Sequence, residues 1–161
     1  MSNLIEEKDV TSVTLSLELE AAVLEHKLDE DGEIYVTESG FFPCWIKILK
    51  NSWYVGFTTY ILFRKSSTRL DRLELANHFN KRNYMTTNHV DADKLIIDHV
   101  LCYRSGILKE TFIRGLRQYS SAICNSISEI DPDYKVLMRL TESATQPDDI
   151  TNDESDKPEV E

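Results

Sequence analysis

Apolar residues recur at threes and fours in three stretches of this chain and gather into short β-rich runs in five others. The first helical stretch opens behind a cap at Thr11 or Ser12. Leu15, Leu19, Ala22, Val23 and His26 share its spacing, which predicts a helix ending near Leu28. Asp29-Glu30-Asp31-Gly32 then reads as a turn. Strands are predicted at residues 33–36, 44–49 and 53–63, joined by short connections that argue an antiparallel meander. Gly56 inside the third strand suggests a bulge or close packing by a helix. A second helix is predicted over 69–82, capped by Thr68, with Leu70, Leu73, Ala76 and Phe79 on one side. Residues 84–90 and 94–103 form a predicted hairpin around Asp91-Ala92-Asp93, and its register places His89 opposite about Leu95 rather than His99. The last helix carries the stripe Phe112, Leu116, Tyr119, Ile123, Ile127 and Ile130 and closes at Asp131-Pro132. Residues 133–140 are expected to add a short turn of helix. The predicted order is α-β-β-β-α-β-β-α, an α+β fold with a mainly antiparallel sheet of about five strands and helices packed on it.

Composition adds a division of the chain. Of 161 residues, 28 are acidic and 18 basic, a net charge of −10. Residues 141–161 hold eight acids against Lys157 alone, so −7 belongs to this stretch and −3 to the other 140 residues. The expected organisation is a flexible leader at 1–10, one domain at 11–140 and an acidic disordered tail at 141–161. No stretch approaches the roughly 20 apolar residues that cross a bilayer. The N-terminus lacks the basic flank and apolar run of a signal peptide, which places the protein in the cytoplasm. The acidic balance argues against nucleic acid and anionic membranes as partners.

Few residues suggest chemistry. Cys44, Cys102 and Cys124 are widely and irregularly spaced, which fits buried reduced thiols better than disulfides or zinc. The four histidines show no metal-ligand spacing, and neither a nucleophile elbow nor a glycine-rich phosphate loop is present, so no catalytic, cofactor or metal residue is assigned. Asn77 and Asn80 lie three apart on the second helix beside His78. They fit either side-chain bonds to the sheet edge or a polar ligand face. Phe41, Phe42, Trp45 and Trp53 are the candidate partner-contact aromatics. The basic residues Arg64, Lys65, Arg69, Arg72, Lys81 and Arg82 surround the second helix as a solvated rim, onto which the acidic tail could fold back.

Residues 28–34 (Leu-Asp-Glu-Asp-Gly-Glu-Ile), Gly40-Phe41 leading into Trp45, the helix segment 73–80 (Leu-Glu-Leu-Ala-Asn-His-Phe-Asn), Val90-Asp91-Ala92-Asp93 and residues 105–110 (Ser-Gly-Ile-Leu-Lys-Glu) together resemble the YbjN-like family of bacterial sensory transduction regulators. The resemblance spans roughly residues 11–131. Tyr84-Met85-Thr86 departs from it, standing where the family often has a proline-containing segment. It implies a fold like that of type III secretion chaperones, which are small, often dimeric and bind extended client segments. It brings no catalytic residues, and Asn77 and Asn80 enter as motif positions of unassigned role. The expectation is a non-enzymatic, chaperone-like or regulatory module, homodimeric, that binds a protein client. The alternative is a small-molecule sensor or enzyme using the face around Asn77, Asn80 and His78.

Overall fold

A computed structural model of the chain describes residues 3–143, so the expected acidic tail lies outside the described residues except for its first three positions. In chain order the elements are β1 (Leu4–Ile5), α1 (Ser12–Ala21), β2 (His26–Leu28), β3 (Ile34–Val36), β4 (Cys44–Leu49), β5 (Tyr54–Leu62), α2 (Arg69–Arg82), β6 (Thr87–Asp91), β7 (Lys94–Cys102), β8 (Ile107–Leu108), α3 (Lys109–Ile130) and α4 (Leu140–Ser143). Six strands form one antiparallel sheet in the order β2-β3-β4-β5-β7-β6, and β1 pairs with β8 in a separate ribbon. The fold is α+β with a mainly antiparallel sheet, as expected.

Alternation along the strands sorts side chains between two faces. Ile34, Val36, Cys44, Ile46, Val55, Phe57, Ile61, Leu95 and Ile97 are buried on one face. α3 crosses that face: the Phe57 ring lies 6.1 Å from Phe112 and 5.7 Å from Tyr119. The Tyr119 hydroxyl donates to the Ile97 carbonyl at 2.7 Å, and burial pushes its ionisation far upward. The six-residue stripe of α3 is the buried one, with Ile130 partly covered at its end. Leu15 and Leu19 of α1 complete the core beside α3, and Lys109 ties the two helices through Glu18 at 2.6 Å.

α1 is shorter than its spacing predicts. It stops at Ala21 because Val23 adopts a left-handed backbone (φ 57°), and Leu24 N–H then reaches back to the Leu19 carbonyl at 3.0 Å. That termination usually carries glycine. The released chain returns as β2, so His26 sits on a strand, where its Nε2 meets Ser16 Oγ at 2.6 Å. The sheet therefore has six strands instead of about five.

The expected leader is also part of the fold. Leu4 and Ile5 pair with Leu108 and Ile107, and Ile5 and Val10 are buried. Gly106 permits this approach: its φ is 100°, and a Cβ there would come within 2.7 Å of the Ile5 carbonyl oxygen. At the other end, the Asp131 carboxylate is buried and accepts from the N–H groups of Lys135, Val136 and Leu137 at 2.7–3.1 Å. This loop sets Leu137 against Phe63 in a strand-like bridge rather than the short helical turn expected there. α2 has the predicted bounds, secured by a reciprocal Thr68–Asp71 capping box. Its inward face differs: Leu75, Ala76 and Phe79 are buried, whereas Leu70 and Leu73 are exposed. β5 runs unbroken, so Gly56 marks no bulge.

Candidate interaction surface

The second face of the sheet carries no helix among the described residues, and its register can be read strand by strand. One row across it is Tyr35, Trp45, Thr58, Asp98 and Thr87. The neighbouring rows are Lys47, Gly56 and Val100 on one side, and Tyr60, Ile96 and His89 on the other. Leu49, Tyr54 and Cys102 form the row nearest the β4–β5 turn. Leu49, Tyr54, Tyr60 and Val100 are all exposed, between 37% and 47%.

Side chains on this face hold one another in place. The Tyr35 and Trp45 rings lie 4.6 Å apart, and the Lys94 ammonium sits 5.2 Å over the Tyr60 ring. Thr58 Oγ1 donates to Asp98 at 2.6 Å, and His89 Nδ1 lies 3.9 Å from the other Asp98 oxygen. Lys47 pairs with Glu33 at 2.5 Å, a bond that holds its ammonium pKa above the usual lysine value. Trp53, at the β4–β5 turn, has a left-handed backbone (φ 54°) and carries the Arg104 guanidinium 5.1 Å above its ring. For a bulky residue that conformation is unusual, and the side chain lines a hollow with Lys8, Val10 and Tyr103.

The structure divides the four candidate aromatics. Phe42 is buried, and its N–H donates to Ser120 Oγ of α3 at 2.7 Å. Phe41 is partly buried against the core. Trp45 belongs to the open face, whereas Trp53 stands at the β4–β5 turn and lines a hollow with Val10 and Tyr103. The open face also has Tyr35, Tyr54, Tyr60 and Val100, which sequence reasoning did not single out. The signal was the period of two in β5, where Tyr54 and Tyr60 alternate with buried Val55, Phe57, Thr59 and Ile61.

Asn77, His78 and Asn80 do not converge. Asn77 and His78 are exposed on α2, while the Asn80 carboxamide is committed to β6. Its nitrogen donates to the Asn88 carbonyl and its oxygen accepts the Asn88 N–H, both at 2.8 Å. A side chain thus occupies the place of a peptide group on the outer strand. The Asn88 side chain is buried beside it and donates to Asn80 and Thr86.

His89 lies opposite Ile96 because the hairpin loop has two residues, one fewer than the sequence suggested. His99 lies on the core face. Its Nδ1 faces the Met85 carbonyl at 2.7 Å, so Nδ1 is the donor, and burial lowers its pKa. Among the described residues, no group of three or more histidine, cysteine or acidic side chains is placed to hold a metal ion. No described helix is long and apolar enough to cross a membrane.

An α+β sheet covered on one side only is the class of architecture that these features define. A profile of the YbjN family, described as "Putative bacterial sensory transduction regulator", matches residues 11–132, and the chain belongs to that family. The crystal structure of YbjN from E. coli, itself described as "a putative transcription regulator", is similar with a TM-score of 0.66 at 19% identity. It covers 79% of this chain and 95% of its own. That likeness establishes the shared fold. Comparison with curated proteins finds no match.

Proposed function

We propose that this protein is a non-enzymatic, chaperone-like or regulatory interaction module whose open sheet face binds an apolar segment of a partner protein. The observation that carries the reading is the set of aromatic and aliphatic side chains on the uncovered face, Trp45, Tyr54, Tyr60 and Val100, one from each of four rows. Six strands of three to nine residues, spaced by about 4.8 Å and rising about 3.3 Å per residue, give a face of roughly 550 Å². A specific interface commonly uses about 800 Å² per partner. Lysines and acids border the apolar rows, as a polar rim borders an interface core. The family description as a regulator supports a binding role over catalysis. The reading places the protein in the cytoplasm and includes pairing with a second copy, as the resemblance to dimeric chaperones implies.

A photo-crosslinking side chain at Tyr60 of the full chain tests the proposal against the same group at Leu70 on α2. The expected result is one partner captured from position 60 and not from 70, and lost when Trp45→Lys is added to a folded protein. Equal capture from both positions, or capture that survives Trp45→Lys, overturns the reading.

A further inference from the structure

The start of α2 gathers positive charge that no described carboxylate neutralises. Lys65 and Arg69 are exposed and make no ion pair among the described residues. Arg72 lies 5.2 Å over the Phe63 ring, and its donors go to Ser67 Oγ and to the carbonyls of Arg64, Ser67 and Ala92. Its charge is therefore held by neutral groups. Asp71, the nearest acid in sequence, is turned to Thr68, whose N–H and hydroxyl donate to it at 2.8 and 2.7 Å. Leu70 and Leu73 stand exposed among these cations, and Leu73, Arg69, Arg72, Val90 and Ala92 line a hollow of about 310 Å³.

The described chain ends beside this patch. Arg64 N–H donates to the Val136 carbonyl at 2.8 Å, and its guanidinium meets Glu142 at 2.9 Å. Residues 144–161 therefore continue from a point fastened to Arg64, the neighbour of Lys65. They contain seven acids and one lysine, with Ile150 between Asp148-Asp149 and Asp153-Glu154. Eighteen residues can reach up to roughly 60 Å when extended, far more than this patch demands.

We propose that residues 144–161 dock on the start of α2, their acids against Lys65, Arg69 and Arg72 and Ile150 against Leu70 and Leu73. The contact is intramolecular, so an effective concentration in the millimolar range makes individually weak pairings sufficient. The proposal is independent of the open sheet face, since it concerns α2 and the connection before it.

Isotope-labelled full-length protein tests it by amide chemical shifts. One sample carries the natural sequence and the other Asp148→Asn, Asp149→Asn, Asp153→Asn and Glu154→Gln. The expected result is a shift difference concentrated in residues 65–73 that disappears at about 0.5 M salt, where the Debye length is only a few ångströms. Lys65→Glu with Arg69→Glu should abolish the same difference, and lysines at 148 and 149 should restore a contact to that reversed patch. Superimposable signals for residues 65–73 at low salt, or differences confined to another surface, overturn the proposal.

Discussion

The two faces of the central sheet are built from the same six strands, yet they differ in what fixes each residue. On the core face, Phe57 is fully buried under Phe112 and Tyr119. Three positions along the strand, Tyr60 lies on the open face with its ring under Lys94 and 42% of its surface exposed. Burial decides the first residue, whereas the second contributes little that the isolated fold requires. Large rings standing where folding does not demand them carry the interaction reading.

The largest expected effect tests this contrast directly. Phe57→Ala should destabilise the protein by about 3–5 kcal/mol through lost burial and the cavity it leaves. Tyr60→Ala should cost no more than about 1 kcal/mol, since few of its contacts are buried. Chemical denaturation of both variants checks the difference, and equal losses would break the distinction between the faces. At the sheet's margin, Asn80→Ala removes both partners of the Asn88 peptide groups. The expected loss is about 1–3 kcal/mol, read by the same denaturation.

One histidine sharpens the comparison through pH. Burial holds the His99 pKa below its usual value of about 6.5. The unfolded chain therefore binds the proton more readily than the folded one. This contribution is fully present above about pH 6.5 and is lost as pH falls toward the lowered folded value. Melting temperatures between pH 7.5 and 5 should lose part of their slope in His99→Gln relative to the natural sequence. An unchanged slope in His99→Gln would remove His99 as its source. The cysteines give the least perturbing test. Cys44 is buried, and desolvation pushes its thiol up to about 12, whereas Cys102 is exposed. Under native conditions at pH 8, alkylation followed by mass spectrometry should modify Cys102 at least ~100-fold faster than Cys44.

How legible these features were depended on the range of the forces that produce them. The bounds of α2 could be read because Thr68 and Asp71 form a local capping box. The α3 stripe was legible because helical spacing and burial coincide. β2 was not, since the stop before it uses Val23 where glycine is the usual signal. Nor was the β1–β8 ribbon, whose two-residue strands depend on Gly106 approaching the Ile5 backbone from distant sequence. The inward face of α2 was misplaced because three leucines along the helix, Leu70, Leu73 and Leu75, allowed more than one stripe, and packing against β6 and α3 chose Leu75, Ala76 and Phe79. Trp45 was visible as a candidate, but only strand register showed that Tyr54, Tyr60 and Val100 join it on the open face.

The Asn80 carboxamide has a consequence for growth. A sheet with two free edges can add copies at both and extend without limit. Here the β6 margin ends in a side chain, which leaves the three-residue β2 at the opposite margin. Pairing at the β6 margin would first have to displace the Asn80 carboxamide from the Asn88 peptide groups.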